Sequence, residues 1–551
     1  MKTYLIYISI FFYGITHSQP LYLKAIGQDD SQTKIIDSLQ YKKSHVDALS
    51  VLKTSNEIEI QLQKKGYLEC RTIDYYKEND SVFIFNYELG KKTQHLYIYI
   101  TDKTFINQSY KIVNDTLKIE IDKTELFLES ITQKASQAGY PLTKAQLTDF
   151  DVEEGKLIAK LQIETNKIRL IDDIIVNGYE KFPKSYLHNL KRIYKNKAFN
   201  EQNVNNMKSN VDKFRFTRAS QSPDVLFTED STKIYLYLEK VASNQFDGFI
   251  GFSNDNQDNF TLNGYVDLML NNALNGGERI FLFWKNDGNQ QTTLNAGFDL
   301  NYLFNSPIAL KTEFQIFRQD STFQNTKTAM DIGYIFKSFH KWFIGYEGNQ
   351  SNGSNTGTIN ISDFKSRFIT STFEGSYFNN ENTFFNENTR FFGRIGFGQR
   401  DLSNAKEQQV FLWTDVSHNF YLNQKNSFHC RNLNYYLKSD SYFINELFRF
   451  GGVQSIRGFR ENSLQSSLLS SIITEYRYLI SESIYVHSIT DYAYSEDKAT
   501  NFKTQLYGFG FGFGLNTKSG ILNLMYANGT DGLSNFKLSN SIVHISLKTV
   551  F

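Results

Sequence analysis

From about Asn244 to Phe551 the apolar residues of this chain recur with a period of two, in runs of roughly 9 to 15 residues. No run there approaches the roughly 20 apolar residues that a membrane-crossing helix needs. A backbone that enters lipid must satisfy its own hydrogen bonds, so such a chain can cross a bilayer only as a closed barrel. The last run, "SIVHISLKTVF", is the cleanest. Val543, Ile545, Leu547, Thr549 and Phe551 share one face, and Ile542, His544, Ser546, Lys548 and Val550 the other. In "LYGFGFGFGLN" the aromatic face is Tyr507, Phe509, Phe511, Phe513 and Leu515. The opposite face is Gly508, Gly510, Gly512 and Gly514, a smooth inner wall that another segment can approach closely. Period-two glycines do not make a dinucleotide loop, which needs G-x-G-x-x-G between a strand and a helix.

About sixteen such runs lie between Phe246 and Phe551, separated by polar loops such as "GNQSNGSNTG". Composition agrees: 48 Phe and 34 Tyr with only 5 Pro make the chain aromatic, while a mean hydropathy of −0.43 keeps it from being greasy. Amphipathic strands with aromatics towards their ends and an even count predict a transmembrane β-barrel of sixteen antiparallel strands over 243–551. Charge is balanced, 59 basic against 58 acidic residues, which removes the electrostatic footprint of a nucleic-acid partner.

The first 18 residues, "MKTYLIYISIFFYGITHS", carry one Lys, then an apolar run of about a dozen residues, then small polar residues before Gln19. That pattern predicts an export signal rather than a membrane span. Cys70 and Cys430, far apart, make neither a disulfide framework nor a metal site.

Between Gln19 and about Lys240 the pattern is different and repeats. Strand-like runs open at Leu21, Leu96 and Ile168, and closing runs begin at Val82, Leu157 and Ile234, so both series recur at 72 to 77 residues. Helical spacing lies between them, clearest in Phe127, Ile131, Ala135 and Ala138. Gly139–Tyr140 and Gly66–Tyr67 read as helix ends; the third unit offers "VDKFRF" without a glycine. A strand, helices and two further strands in each repeat resemble the polypeptide-transport-associated (POTRA) domain. Boundaries of 19–92, 93–166 and 167–242 follow.

Three such repeats ahead of a barrel containing "FRFGGVQSIRGFREN" resemble the BamA/TamA-type family of outer-membrane assembly proteins. The resemblance rests most on Ile456, Arg457, Gly458 and Phe459, which match the family's (V/I)RG(F/Y) signature, and on Gly451 and Gly452 before them. It implies a bacterial outer-membrane protein with its repeats in the periplasm, whose signature loop folds into the lumen and docks on the inner wall, for which the glycine face 508–514 is suited. A desolvated Arg needs acidic partners. Ile472, Thr474, Tyr476, Tyr478 and Ile480 form the lipid face of their run, which turns Glu475 and Arg477 inward. Asp491 lies on a face shared with His487 and Ala493 but also with Ile489 and Tyr485, which leaves its direction open. Glu475 and Asp491 match the family's acidic partners of the loop Arg.

By the same resemblance, the first barrel strand, with Phe246, Gly248 and Gly251, meets the last, ending in Phe551, at a seam that acts as a lateral gate. The glycines equally suit a simple bend. The implied function is folding and insertion of outer-membrane proteins. Unfolded barrel clients are its partners, with periplasmic chaperones or accessory lipoproteins on the repeats and outer-membrane lipid around the barrel. The alternatives are a secretion pore for one dedicated protein, as in two-partner systems, and a passive porin or receptor. Nine scattered His residues show no metal spacing, and neither a phosphate loop nor a nucleophile elbow is present, so no catalytic residue, metal or cofactor is expected.

Overall fold

The computed structural model describes residues 20–153, 156–254, 260–286, 291–320, 322–337, 340–353, 360–378, 384–385, 387–402, 405–517, 520–532 and 541–551. The expected export signal lies outside the described residues. The chain divides into two compact units, one running to Leu170 and including Ala198–Gln202, the other made of Ile171–Lys197 and Asn203–Phe551.

The first unit holds two α+β repeats. In the first repeat, strand Leu21–Gly27 pairs in parallel with Val82–Glu88, flanked by Ser44–His45 and by Arg71–Asn79. Helices Asp30–Asp37 and Ala48–Lys64 begin where Asp29 and Asp47 each accept a backbone N–H three residues on, at 2.7 Å. The second helix buries Val51, Ser55, Ile58 and Leu62, one face at helical spacing, against Leu23, Phe83 and Phe85.

In the second repeat, His95–Ile100 pairs in parallel with Lys156–Glu164 under helix Thr124–Gln137. Phe127, Ile131 and Ala135 are buried there; Ala138, read as part of the same face, is the exposed C-cap instead. The repeat also departs from the expected pattern by using a hairpin, Ile112–Val113 with Thr116–Glu120, where the first repeat has its short helix. Asn114 and Asp115, at φ +49° and +57°, supply the two left-handed residues that a tight two-residue turn requires.

Both long helices end in the same way. Gly66 (φ +103°) and Gly139 (φ +95°) follow the C-cap, and the next residue, Tyr67 or Tyr140, donates back to the carbonyl of Leu62 or Ala135. The carbonyls of Gly66 and Gly139 then accept N–H bonds from Thr93 and Arg169, both at 2.8 Å, tying the outgoing chain to the end of the helix just completed.

In the second unit, a third α+β repeat pairs Asp173–Asn177 in parallel with Thr232–Lys240, with helices Lys184–Tyr194 and Glu201–Asp212. Its opening strand starts at Asp173, not at Ile168, because Arg169 is engaged by Gly139 and Leu170 bridges Ala198. No glycine ends its second helix, yet Phe216 offers its carbonyl to Val241 at 3.2 Å, in the place taken by Gly66 and Gly139. This repeat docks on the barrel. Tyr186 donates its hydroxyl to the Gly277 carbonyl and accepts from Asn301 Nδ2, each at 3.0 Å, and Tyr179 accepts from Asn272 Nδ2 at 2.8 Å. A Cβ on Gly277 would lie 2.0 Å from the Tyr186 ring, so glycine there makes room for the aromatic.

The barrel has sixteen strands and closes. They are β1 (Gln245–Asn254), β2 (Phe260–Asn271), β3 (Arg279–Asn286), β4 (Gln291–Leu303), β5 (Ile308–Gln319), β6 (Phe323–Lys337), β7 (His340–Gly353) and β8 (Phe364–Phe378). The second half is β9 (Glu387–Asp401), β10 (Lys406–Tyr421), β11 (Asn426–Lys438), β12 (Leu468–Ser481), β13 (Ile484–Asp497), β14 (Phe502–Thr517), β15 (Gly520–Thr530) and β16 (Ile542–Val550). All neighbours run antiparallel. Outward residues include Ile344, Ile369, Phe397, Ile472, Phe511, Val543 and Ile545, all well exposed. Such an apolar belt is stable only against lipid, which makes this a transmembrane barrel of the outer-membrane type. No described helix is long and apolar enough to cross a membrane.

Candidate functional site: a loop anchored inside the barrel

The connection between β11 and β12 folds into the lumen. It begins with a 3-10 turn, Ile444–Glu446, continues through a short ladder pairing Phe448–Phe450 with Leu464–Ser466, and turns back around residues 451–463. Gly451, Gly452 and Gly458 all have positive φ, between +87° and +107°, which shapes a loop too tight for ordinary side chains. Ser455 steadies the turn by accepting the Gly451 N–H at 2.7 Å. Phe450 and Ile456 are buried with Leu433, Leu469, Ile473, Ala493 and Leu506, so this part of the lumen is an apolar core completed by the loop. The ambiguous β13 face is settled as the inner one: Tyr485, His487, Ile489, Asp491 and Ala493 are all buried, Ala493 in this core and Tyr485 against the rings of Phe384 and Phe385.

Arg457 is 2 % exposed. Its Nε and Nη2 grip both oxygens of Asp491 at 2.8 and 2.6 Å, and its backbone N–H reaches Asp491 Oδ2 at 3.0 Å. Nη1 donates to Glu475, and Nη2 also reaches the Thr474 carbonyl at 3.2 Å. Glu475 in turn accepts from Arg477 at 2.7 Å, and the Arg477 guanidinium lies 4.1 Å from the ring centroid of Phe385. Two guanidinium groups thus face two carboxylates, a neutral set held by bidentate and charge-assisted bonds. Because these carboxylates are occupied by fixed cations, the cluster is an anchor rather than a proton-transfer centre. No trio of His, Cys, Asp or Glu among the described residues is placed to hold a metal ion.

The four glycines expected to admit the loop tip have separate surroundings. A Cβ on Gly508 would stand 2.4 Å from the Arg457 carbonyl, so this residue does lie against the loop. Gly510 faces the Tyr526 carbonyl of β15, Gly512 the His487 ring and Gly514 the Tyr485 ring. They make room for neighbouring strands and aromatics, and the tip rests on β15 instead. Added carbons would place Gly458 2.3 Å from the Gly529 nitrogen, and Gly529 2.6 Å from the Phe459 ring. Gly529 was not evident from the sequence, since a lone glycine at a strand end carries no pattern.

A second anchor also escaped sequence reading. Arg400 of β9 is fully buried and reaches Glu446 of the loop, Glu407 of β10 and the hydroxyl of Ser441, with its guanidinium 4.4 Å from the Phe443 ring centroid. Gln409 of β10 also donates to Glu446. Next door, Asn445 donates to Ser351 of β7 and to the Ser362 carbonyl, each at 2.7 Å, while its own carbonyl accepts from Asn325 of β6 at 2.5 Å. Residues 441–446 are therefore held by β6, β7, β9 and β10, and residues 457–459 by β12–β15.

At the seam, β1 and β16 share, among the described residues, only Gln245↔Val550 and Phe246↔Thr549, extended by mutual backbone bonds of Asn244 and Phe551 at 3.0 and 3.2 Å. Every other barrel ladder among the described residues has at least eight pairs. Gly248 and Gly251 are paired with Val266 and Asn263 of β2, and a Cβ on Gly248 would lie 2.5 Å from the Tyr265 carbonyl, a close approach between strands.

No protein-family model and no curated protein matches the sequence. Among solved structures, CdiB from Acinetobacter baumannii is similar at 12% identity over 97% of this chain and 90% of that one, with a TM-score of 0.50. BamA from Haemophilus ducreyi lacking POTRA domains 1–3 gives 13% identity over 78% of this chain and 93% of that one, with a TM-score of 0.48. CdiB from Escherichia coli gives 12% identity over 89% and 96%, with a TM-score of 0.48. The likeness to CdiB from Acinetobacter baumannii is one of fold: α+β POTRA-type repeats followed by a closed sixteen-stranded barrel.

Proposed function

We propose that this protein folds and inserts barrel proteins into the bacterial outer membrane, the repeats receiving unfolded client and the β1–β16 seam releasing it sideways into lipid. One observation carries the reading: among the described residues every barrel ladder has at least eight pairs except the one at that seam, which has two. A strand edge held at only two register positions is available to template a partner strand, an arrangement that stable sheets normally avoid. In this reading Phe246, Gly248, Gly251 and Phe551 belong to the gate, and Arg457 with Glu475 and Asp491 keeps the wall beside it in register. The loop that crosses the lumen also speaks against a passive pore, because its buried core and ion pairs occupy space a solute path would need.

Depletion of the protein followed by quantification of outer-membrane barrels tests this directly. Several client barrels are expected to fall; if none does, the insertion reading fails. Site-specific cross-linking separates it from secretion of one dedicated partner: substrate trapped at β1 and β16 supports insertion, whereas substrate trapped on lumen residues supports export.

A further inference from the structure

The ladder at the seam fastens only one end of it. Gln245, Phe246, Thr549 and Val550 lie at the end where the third repeat joins the barrel, and from Asp247 and Lys548 onward no β1–β16 pair exists among the described residues. The opposite end of the seam is crossed from inside by the loop. On one flank, Gly458 and Phe459 press on Asn528 and Gly529 of β15. On the other, Glu461 accepts from Lys285 Nζ of β3 at 2.9 Å, and the Asn462 carbonyl takes a longer bond, 3.4 Å, from Gln291 of β4. Four inter-strand gaps separate β15 from β3 along the wall, roughly 19 Å at about 4.8 Å per gap. Three residues of loop and two long side chains span that interval across the lumen. On β16 the buried Nε2 of His544 has no hydrogen-bond partner among the described residues.

We propose that Glu461 and Lys285 form a clasp that holds the unladdered end of the seam, and that Glu461 is a positioning residue whose release from Lys285 must precede sideways opening. The proposal rests on the seam being the exit. The loop can serve as a brace because it is itself immobile, fixed by Arg457 at the tip and by Arg400 at the stem. The Lys285–Glu461 pair is partly exposed, so its separate contribution is modest and reversible, as a working latch requires. Buried Arg457 is too costly to release in each cycle.

The test uses the full chain in lipid vesicles, with spin labels on the outer side of β3 and β16 at Trp284→Cys and Val543→Cys, after replacement of Cys70 and Cys430 by Ser. Glu461→Gln and Lys285→Met are each expected to raise the separated population across the seam about 2- to 5-fold, the effect of losing one exposed pair. The charge-reversed double variant, Lys285→Glu with Glu461→Lys, is expected to restore the wild-type distribution, a rescue that a general packing role would not produce. An unchanged distance distribution in both single variants overturns the clasp, as does failure of the reversed pair to rescue. A seam that loosens while client insertion into the vesicles stays the same supports the clasp and sinks the lateral-gate reading instead.

Discussion

At the scale of single residues the barrel interior is governed by where its guanidinium groups end. Arg457→Ala leaves Asp491 buried at 1 % exposure without its cation, and breaking a buried pair in this way costs about 3–5 kcal/mol. The expected outcome is a barrel that unfolds at lower urea concentration and a loop newly open to protease. A double-mutant cycle separates the two acids: coupling to Asp491, which takes a bidentate grip and a backbone N–H, should exceed coupling to Glu475, which Arg477 also neutralises. In the first repeat, burial pushes the Cys70 thiol up to about 11 and the Tyr87 hydroxyl up to about 12, from 9.0 and 10.0. Both groups ionise more readily in the unfolded chain, so the stability they lend is complete below about pH 9 and is lost as pH rises through 11 and 12. In a Cys430→Ser background, Cys70 should resist maleimide at pH 8 and label progressively faster above pH 9. Arg457 was legible because a short signature surrounds it. Arg400 was not, because an inward Arg on one strand and Glu446 in an aperiodic loop share no spacing.

Among the elements, those with a strict local rule were readable and those set by a neighbour were not. Period-two alternation marks the sixteen strands because one face of each must meet lipid. The glycine–tyrosine helix ends were readable for the same kind of reason, since only glycine adopts the left-handed position without cost. The hairpin of the second repeat was missed although Asn114–Asp115 is a fair turn signal, because the first repeat suggested a helix there. The linker contacts set an order of severity for glycine substitution. An added carbon on Gly66 meets the Thr93 carbonyl at 2.2 Å, whereas one on Gly139 meets the Ala198 methyl at 3.2 Å. Both variants to Ala carry a conformational cost of about 1–3 kcal/mol. Gly66→Ala adds a backbone clash and should loosen its repeat more, read as faster amide exchange across 48–64 than Gly139→Ala causes across 124–137.

For the whole molecule, the location of the loop's two anchors in the sequence matters as much as their location in space. The polar anchors at 441–446 reach strands made before the loop, β6, β7, β9 and β10, whereas Arg457 and the residues just after it rest on strands made after the loop, β12 to β15. A nascent chain can therefore seat residues 441–446 while the last five strands of the cylinder are still unmade, but Gly458 and Phe459 have nowhere to land until β15 exists. Refolding should proceed in two kinetic stages, with Arg400→Met slowing the earlier and Arg457→Ala the later. The loop thus acts as a completion check, since its tip can lock only when the strand that precedes the final one has already been delivered.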